Sequence, residues 1–243
     1  MTTGGSAGEL FEDAALGAPA VRGFLHRAAG PSTDALVLTH GAGGNCRAPL
    51  LVALAGAFAA AGVATLRCDL PYRQARPKGP PVPARAALDR QGLKHALLAL
   101  RRMASGPVFL GGLSYGGRQA SMLLAAEPEL AAALLLLSYP LHPPGRAAEL
   151  RTAHLPDLRT PTFFVHGAAD PFGSREEIEA ARALIPARTG LLPLPGAGHD
   201  LLAGRPSADA TLRIAERIVG AFLAWREERR DSPDMRGGGP GPA

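Results

Sequence analysis

Short apolar runs rich in β-branched residues recur along the chain, and they alternate with longer segments whose apolar positions repeat every three to four residues. This alternation predicts a parallel sheet covered by helices on both faces, because a strand buried on both sides must be apolar throughout. Strands are expected over residues 21–26, 35–39, 63–68, 108–110, 132–138, 162–166 and 190–194. Helices are expected over 49–61, 84–104, 115–126, 174–184 and 208–228. The fold class is therefore α/β. Five prolines in 70–83 and four in 139–156 make those segments ordered loops, available as pocket walls. Glycine, alanine and proline dominate both ends, so residues 1–18 are expected as a flexible N-terminus and 229–243 as a disordered tail around one domain over 19–228.

Composition narrows the class of protein. With 243 residues, 47% hydrophobic and 19% charged, the chain is too apolar for disorder and suits one core. The uncharged stretch 49–66 is broken by Gly56 and Gly62 and reads as a buried helix running into a strand, not as a membrane span. Two cysteines, Cys46 and Cys68, cannot build a disulfide framework, which suits a reducing compartment. The first residues carry Glu9, Glu12 and Asp13 and do not resemble a secretion signal, so a cytoplasmic location is expected. The net charge of +5 is spread along the chain and gives no reason to invoke nucleic acid. The expected partner is a small molecule, with neither membrane nor nucleic acid; the oligomeric state is not legible.

The sharpest local signal is Gly112-Leu113-Ser114-Tyr115-Gly116, which matches G-x-S-x-G between an apolar strand and a helical pattern. A serine on so sharp a turn has a strained backbone, and its flanking positions must lack a Cβ because strand and helix approach closely there. A hydroxyl is a poor nucleophile near neutral pH, so the motif requires a histidine base and a carboxylate to orient it. Asp170 follows the strand 162–166, and His199 follows the strand 190–194. In a parallel sheet all three lie at the carboxyl ends of strands, on one edge. His166 stands too close to Asp170 and reads as structural. Asp200 competes for the acid role, but a sequence neighbour usually points away from its own histidine.

An oxyanion formed beside Ser114 needs two donors. The backbone N–H of Tyr115, at the helix start, is one, and the glycine-rich turn after residue 39 supplies the other, with Ala42 as the expected residue. His40 is read as fixing that turn. The same glycines followed by Asp69 imitate a dinucleotide site, but Cys46 stands where its third glycine belongs. No cofactor and no metal site are expected. After the strand ending at Cys68, Tyr72, Arg73 and Arg76 lie in a proline-stiffened loop expected at the edge of Ser114. One reading makes Tyr72 a pocket wall and the arginines contacts for an anionic acyl substrate. The other makes Arg73 a brace paired with a carboxylate.

The segments Thr39-His-Gly-Ala-Gly-Gly-Asn, Arg67-Cys-Asp-Leu-Pro-Tyr-Arg-Gln, Gly111-Gly-Leu-Ser-Tyr-Gly-Gly-Arg and Val165-His-Gly-Ala-Ala-Asp-Pro resemble those of α/β-hydrolases. More narrowly, they resemble the lid-less branch related to dienelactone hydrolases that includes the testis-expressed hydrolase-like proteins. The resemblance implies an α/β-hydrolase fold with no separate lid domain. Residues and resemblance together predict a cofactor-independent serine hydrolase acting on an ester, thioester or similar acyl compound through an acyl-enzyme. Ser114, Asp170 and His199 are its expected catalytic residues. The alternative is a non-catalytic binding or scaffold protein that keeps the fold.

Overall fold

The structure, a computed structural model, describes residues 7–30 and 33–228. In chain order its elements are β1 (Glu9–Asp13), β2 (Val21–His26), β3 (Ala35–Thr39), α1 (Pro49–Ala60), β4 (Ala64–Cys68), α2 (Pro71–Ala75), α3 (Ala86–Arg101) and β5 (Val108–Leu113). They continue with α4 (Tyr115–Ala126), β6 (Leu134–Leu137), β7 (Thr162–Gly167), α5 (Arg175–Arg182), β8 (Thr189–Leu194) and α6 (Ala208–Glu227). The strands form one eight-stranded sheet in the order β1-β2-β4-β3-β5-β6-β7-β8. The pairs β1–β2 and β2–β4 are antiparallel, and the rest are parallel. The outermost strand, β8, carries Pro193.

The period-two geometry of a strand sorts each apolar run onto two faces. Leu36 and Leu38 of β3 join Leu135 and Leu137 of β6 on one face, against α1 and α6. Val37, Leu134 and Leu136 lie on the other, against α3, α4 and α5. Phe222 of α6 sits at the centre of the first layer, meeting the rings of Phe58, Phe109 and Phe163 edge-on at centroid distances of 5.8–6.0 Å. Burying such a side chain contributes about 1.5–3 kcal/mol, and each edge-on ring pair adds up to ~1 kcal/mol. Among the described residues no helix is long and apolar enough to cross a membrane, and no separate lid domain interrupts the sheet.

Two expectations are corrected. Part of the segment expected to be flexible, Glu9–Asp13, is a strand paired along its whole length with β2. Its hold comes from main-chain pairing, from Phe11 packed against the core, and from the ion pairs Glu12–Arg22 and Glu9–Arg27. A composition rich in glycine and alanine conceals such a latch. The expected loop after Leu70 contains the short helix α2, with Pro71 at its first turn, where proline's fixed φ and missing N–H are tolerated. The expected tail, residues 229–243, lies outside the described residues.

Candidate active site

Strand β5 turns into α4 at Ser114, which caps the helix with φ +50° and ψ −116°. That conformation costs a residue with a Cβ of order 1–3 kcal/mol, and the surrounding backbone must enforce it. Close approach does so. A Cβ on Gly112 would meet the backbone of Gly116 and Gly117, and one on Gly116 would meet the carbonyl oxygen of His40. The Ser114 N–H is tied to Leu137 O at 2.8 Å, in the next strand. As the first residue of α4, Tyr115 carries an N–H that the helix cannot satisfy.

The loops after β7 and β8 bring Asp170 and His199 to this serine. The Ser114 hydroxyl lies 2.9 Å from His199 Nε2, and His199 Nδ1 donates to Asp170 Oδ2 at 2.8 Å. The Asp170 side chain is fully buried, and its Oδ1 accepts from the Phe172 N–H at 2.9 Å. The Phe172 ring stacks on the imidazole with centroids 4.3 Å apart. His166 Nε2 donates to Gly173 O at 2.7 Å and so helps hold the loop that carries Asp170. Asp200 turns away, its Oδ1 accepting from the Leu202 N–H.

The turn after β3 is held from beneath. His40 is buried, donates from Nδ1 to Gly41 O at 2.9 Å and accepts the Leu70 N–H on Nε2 at 3.1 Å. With Nε2 used as an acceptor, its 3.4 Å approach to Asp69 is no ion pair, and burial lowers the His40 pKa in agreement with a neutral ring. Asp69 Oδ1 accepts the Cys46 N–H, closing the far end of the turn. The hydroxyl of Tyr72 donates to Gly41 O at 3.1 Å and Ala42 O at 2.9 Å. Arg73, only 6% exposed, donates to Gly44 O, Ala42 O, Arg76 O and Gly79 O.

The expectation of a substrate-facing loop is thereby corrected. Arg73 is a brace, and its partners are four carbonyls instead of one carboxylate. Tyr72 lies under the turn and does not line the cleft that contains Ser114. Arg76 is exposed and donates to Pro80 O within its own loop. The reason is geometric: α2 winds the segment inward, so Tyr72 and Arg73 meet the backbone of residues 41–44.

A cleft of about 660 Å³ opens over Ser114, with Ala42, Tyr115 and Phe172 among its walls. Its walls also hold Arg90, Arg118 and Arg151, which sequence reasoning missed. For Arg118 a signal existed, since it stands four residues after Ser114, one turn along the same helix. A larger groove of about 1000 Å³ between α1 and α6 contains no serine or cysteine. Cys46 and Cys68 are buried; burial pushes the Cys46 thiol up to about 12 and the Cys68 thiol up as well, so neither forms a thiolate readily.

Residues 32–226 match the model of a family described as an alpha/beta hydrolase domain. Among solved structures, an alpha-beta serine hydrolase homologue from Coxiella burnetii is 18% identical, with TM-score 0.68 over 91% of this chain and 98% of its own. A dienelactone hydrolase from Anabaena variabilis is 23% identical, with TM-score 0.67 over 89% and 98%. A serine hydrolase without lid from Xanthomonas campestris is 12% identical, with TM-score 0.64 over 90% and 95%. At such identities the structures establish the fold, and the family match covers most of the sequence. The chain belongs to the α/β-hydrolase domain family.

Proposed function

We propose that the protein is a cofactor-independent serine hydrolase that cleaves an ester or thioester through an acyl-enzyme. One observation carries this reading: the unbroken chain from the Ser114 hydroxyl through His199 to the buried Asp170, at 2.9 and 2.8 Å. In the reaction, Ser114 Oγ attacks the acyl carbon while its proton passes to His199 Nε2. Asp170, held by the Phe172 N–H, orients the imidazole and stabilises the imidazolium. The tetrahedral oxyanion accepts from the N–H groups of Ala42 and Tyr115, and the positive end of α4 adds to the field there. Collapse expels the alcohol or thiol, which takes the proton from His199. Water, deprotonated by the same imidazole, then attacks the ester of Ser114 and releases the acid.

The test is covalent labelling. A fluorophosphonate probe is expected to modify wild-type protein at Ser114 and to leave Ser114→Ala unmodified. His199→Ala is expected to slow labelling by a factor on the order of 10³ or more. Folded wild-type protein that resists the probe and turns over no p-nitrophenyl or thioester substrate would instead favour a binding protein on this fold.

A further inference from the structure

The walls of the Ser114 cleft include three arginines and neither aspartate nor glutamate. They come from three elements: Arg90 from α3, Arg118 from α4 and Arg151 from the loop before β7. Several arginines elsewhere pair with carboxylates, as in Arg22–Glu12, Arg27–Glu9 and Arg182–Glu179. None of the three in the cleft has such a partner among the described residues. Arg90 Nη1 donates to Gln119 Oε1 at 2.9 Å, and Arg151 Nη1 to Pro140 O at 3.2 Å. The Arg118 side chain has no acceptor among the described residues, and its Nε is buried.

Gln119 supplies an independent observation. It lines the same cleft, is fully buried, and its Nε2 has no acceptor although its Oε1 is held by Arg90. Buried polar groups in native proteins are nearly always satisfied, so two orphaned donors at one wall of a cleft call for an acceptor from outside. Local charge agrees. Burial and the neighbouring Arg118 lower the Arg151 pKa, so the two guanidinium groups repel across a partly desolvated space. Asp89 makes no ion pair with any of the three; its oxygens accept from the Tyr72 N–H and the Tyr115 hydroxyl.

We infer that Arg118, with Arg151 and Arg90, forms an anion-recognition subsite beside Ser114, so that the preferred ester or thioester carries a carboxylate or phosphate-type group a few bonds from its carbonyl. The inference rests on the hydrolase reading above. The helix sets the spacing of their backbones, since four residues place the Cα atoms of Ser114 and Arg118 about 6 Å apart along the axis. A charged group held there would also fix the acyl carbon over Ser114 Oγ, turning binding energy into orientation.

The test compares 4-nitrophenyl hydrogen glutarate with its neutral methyl ester, using rates above the spontaneous background. Wild type is expected to favour the anionic ester in kcat/KM by tenfold or more, and Arg118→Gln to reduce that ratio at least tenfold. Arg118→Lys should restore part of it, and Arg213→Gln, on the exposed side of α6, should leave it unchanged. The 3-phosphonopropanoyl ester of 4-nitrophenol separates carboxylate from phosphate selectivity. A wild-type ratio at or below one, or an equal loss on both esters in Arg118→Gln, would overturn the subsite. Should neither ester turn over, fluorophosphonate labelling of Ser114 decides the hydrolase reading, and titration of glutarate into Ser114→Ala decides this inference alone. Saturable binding that Arg118→Gln abolishes would uphold it, and no saturable binding would overturn it.

Discussion

Arg73 holds the turn that carries Ala42, Arg118 lines the cleft over Ser114, and the protein gives them opposite surroundings. Arg73 is enclosed by four carbonyls that accept from its guanidinium, and two of them belong to the turn carrying Ala42. Arg118 lines the cleft and finds no acceptor among the described residues. A cation whose donors are all used holds its surroundings rigid and has nothing left to offer a ligand. A cation without partners does the reverse. Residue type does not separate the two; the acceptors around each one do.

Removing Arg73 should have the largest effect. Arg73→Gln leaves buried carbonyls without donors, and a loss of about 3 kcal/mol in urea unfolding is expected. Turnover of neutral and anionic esters should fall in parallel, since the turn bearing Ala42 loosens for both. A selective loss on anionic esters would give Arg73 the role assigned here to Arg118.

Next in size comes a dependence on pH, since two histidines, His26 buried and His154 half-buried, lie beside arginines. His26 accepts from Arg67 Nε at 2.9 Å, and His154 Nε2 lies 2.8 Å from Ser121 Oγ close to Arg118. Burial first, and the adjacent arginine second, lower both pKa values to about 4. Each histidine therefore binds fewer protons folded than unfolded. The stability this contributes is complete above about pH 6.5 and is lost as pH falls towards 4. Between pH 7 and 4.5, urea unfolding should weaken more in wild type than in His154→Gln; equal slopes would mean that His154 accepts a proton beside Arg118.

The smallest effect is expected at Arg118 itself. Because Arg118→Gln removes a buried donor that has no acceptor, the unfolding free energy should move by less than about 1 kcal/mol. A drop as large as that expected for Arg73→Gln would make both arginines braces and erase the contrast.

What was legible in the sequence follows from the range of the interactions involved. The elbow at Ser114 is local: a strand, two glycines and a helix start must be contiguous, so the motif carries its own geometry. Asp170 and His199 were legible because a parallel sheet returns successive strand ends to one edge, and order along the chain then limits the choices. Arg73 and Arg76 stand out in the sequence because they are neighbours along the chain. Arg90, Arg118 and Arg151 are neighbours only in space, brought together by the packing of α4 against α3 and by a loop with no periodic pattern. The strand β1 escaped notice because main-chain pairing holds it, and main-chain pairing leaves little mark on composition.

The margins of the sheet bear on how copies of this chain can meet. At one margin β1 presents Glu9, Glu12 and Asp13, and at the other β8 contains Pro193, which has no N–H to donate. Charge at one rim and a missing donor at the other discourage a foreign strand from adding to either side. Crowded in solution, copies of this chain meet a barrier to zipping into an extended ribbon through the described edges of the sheet.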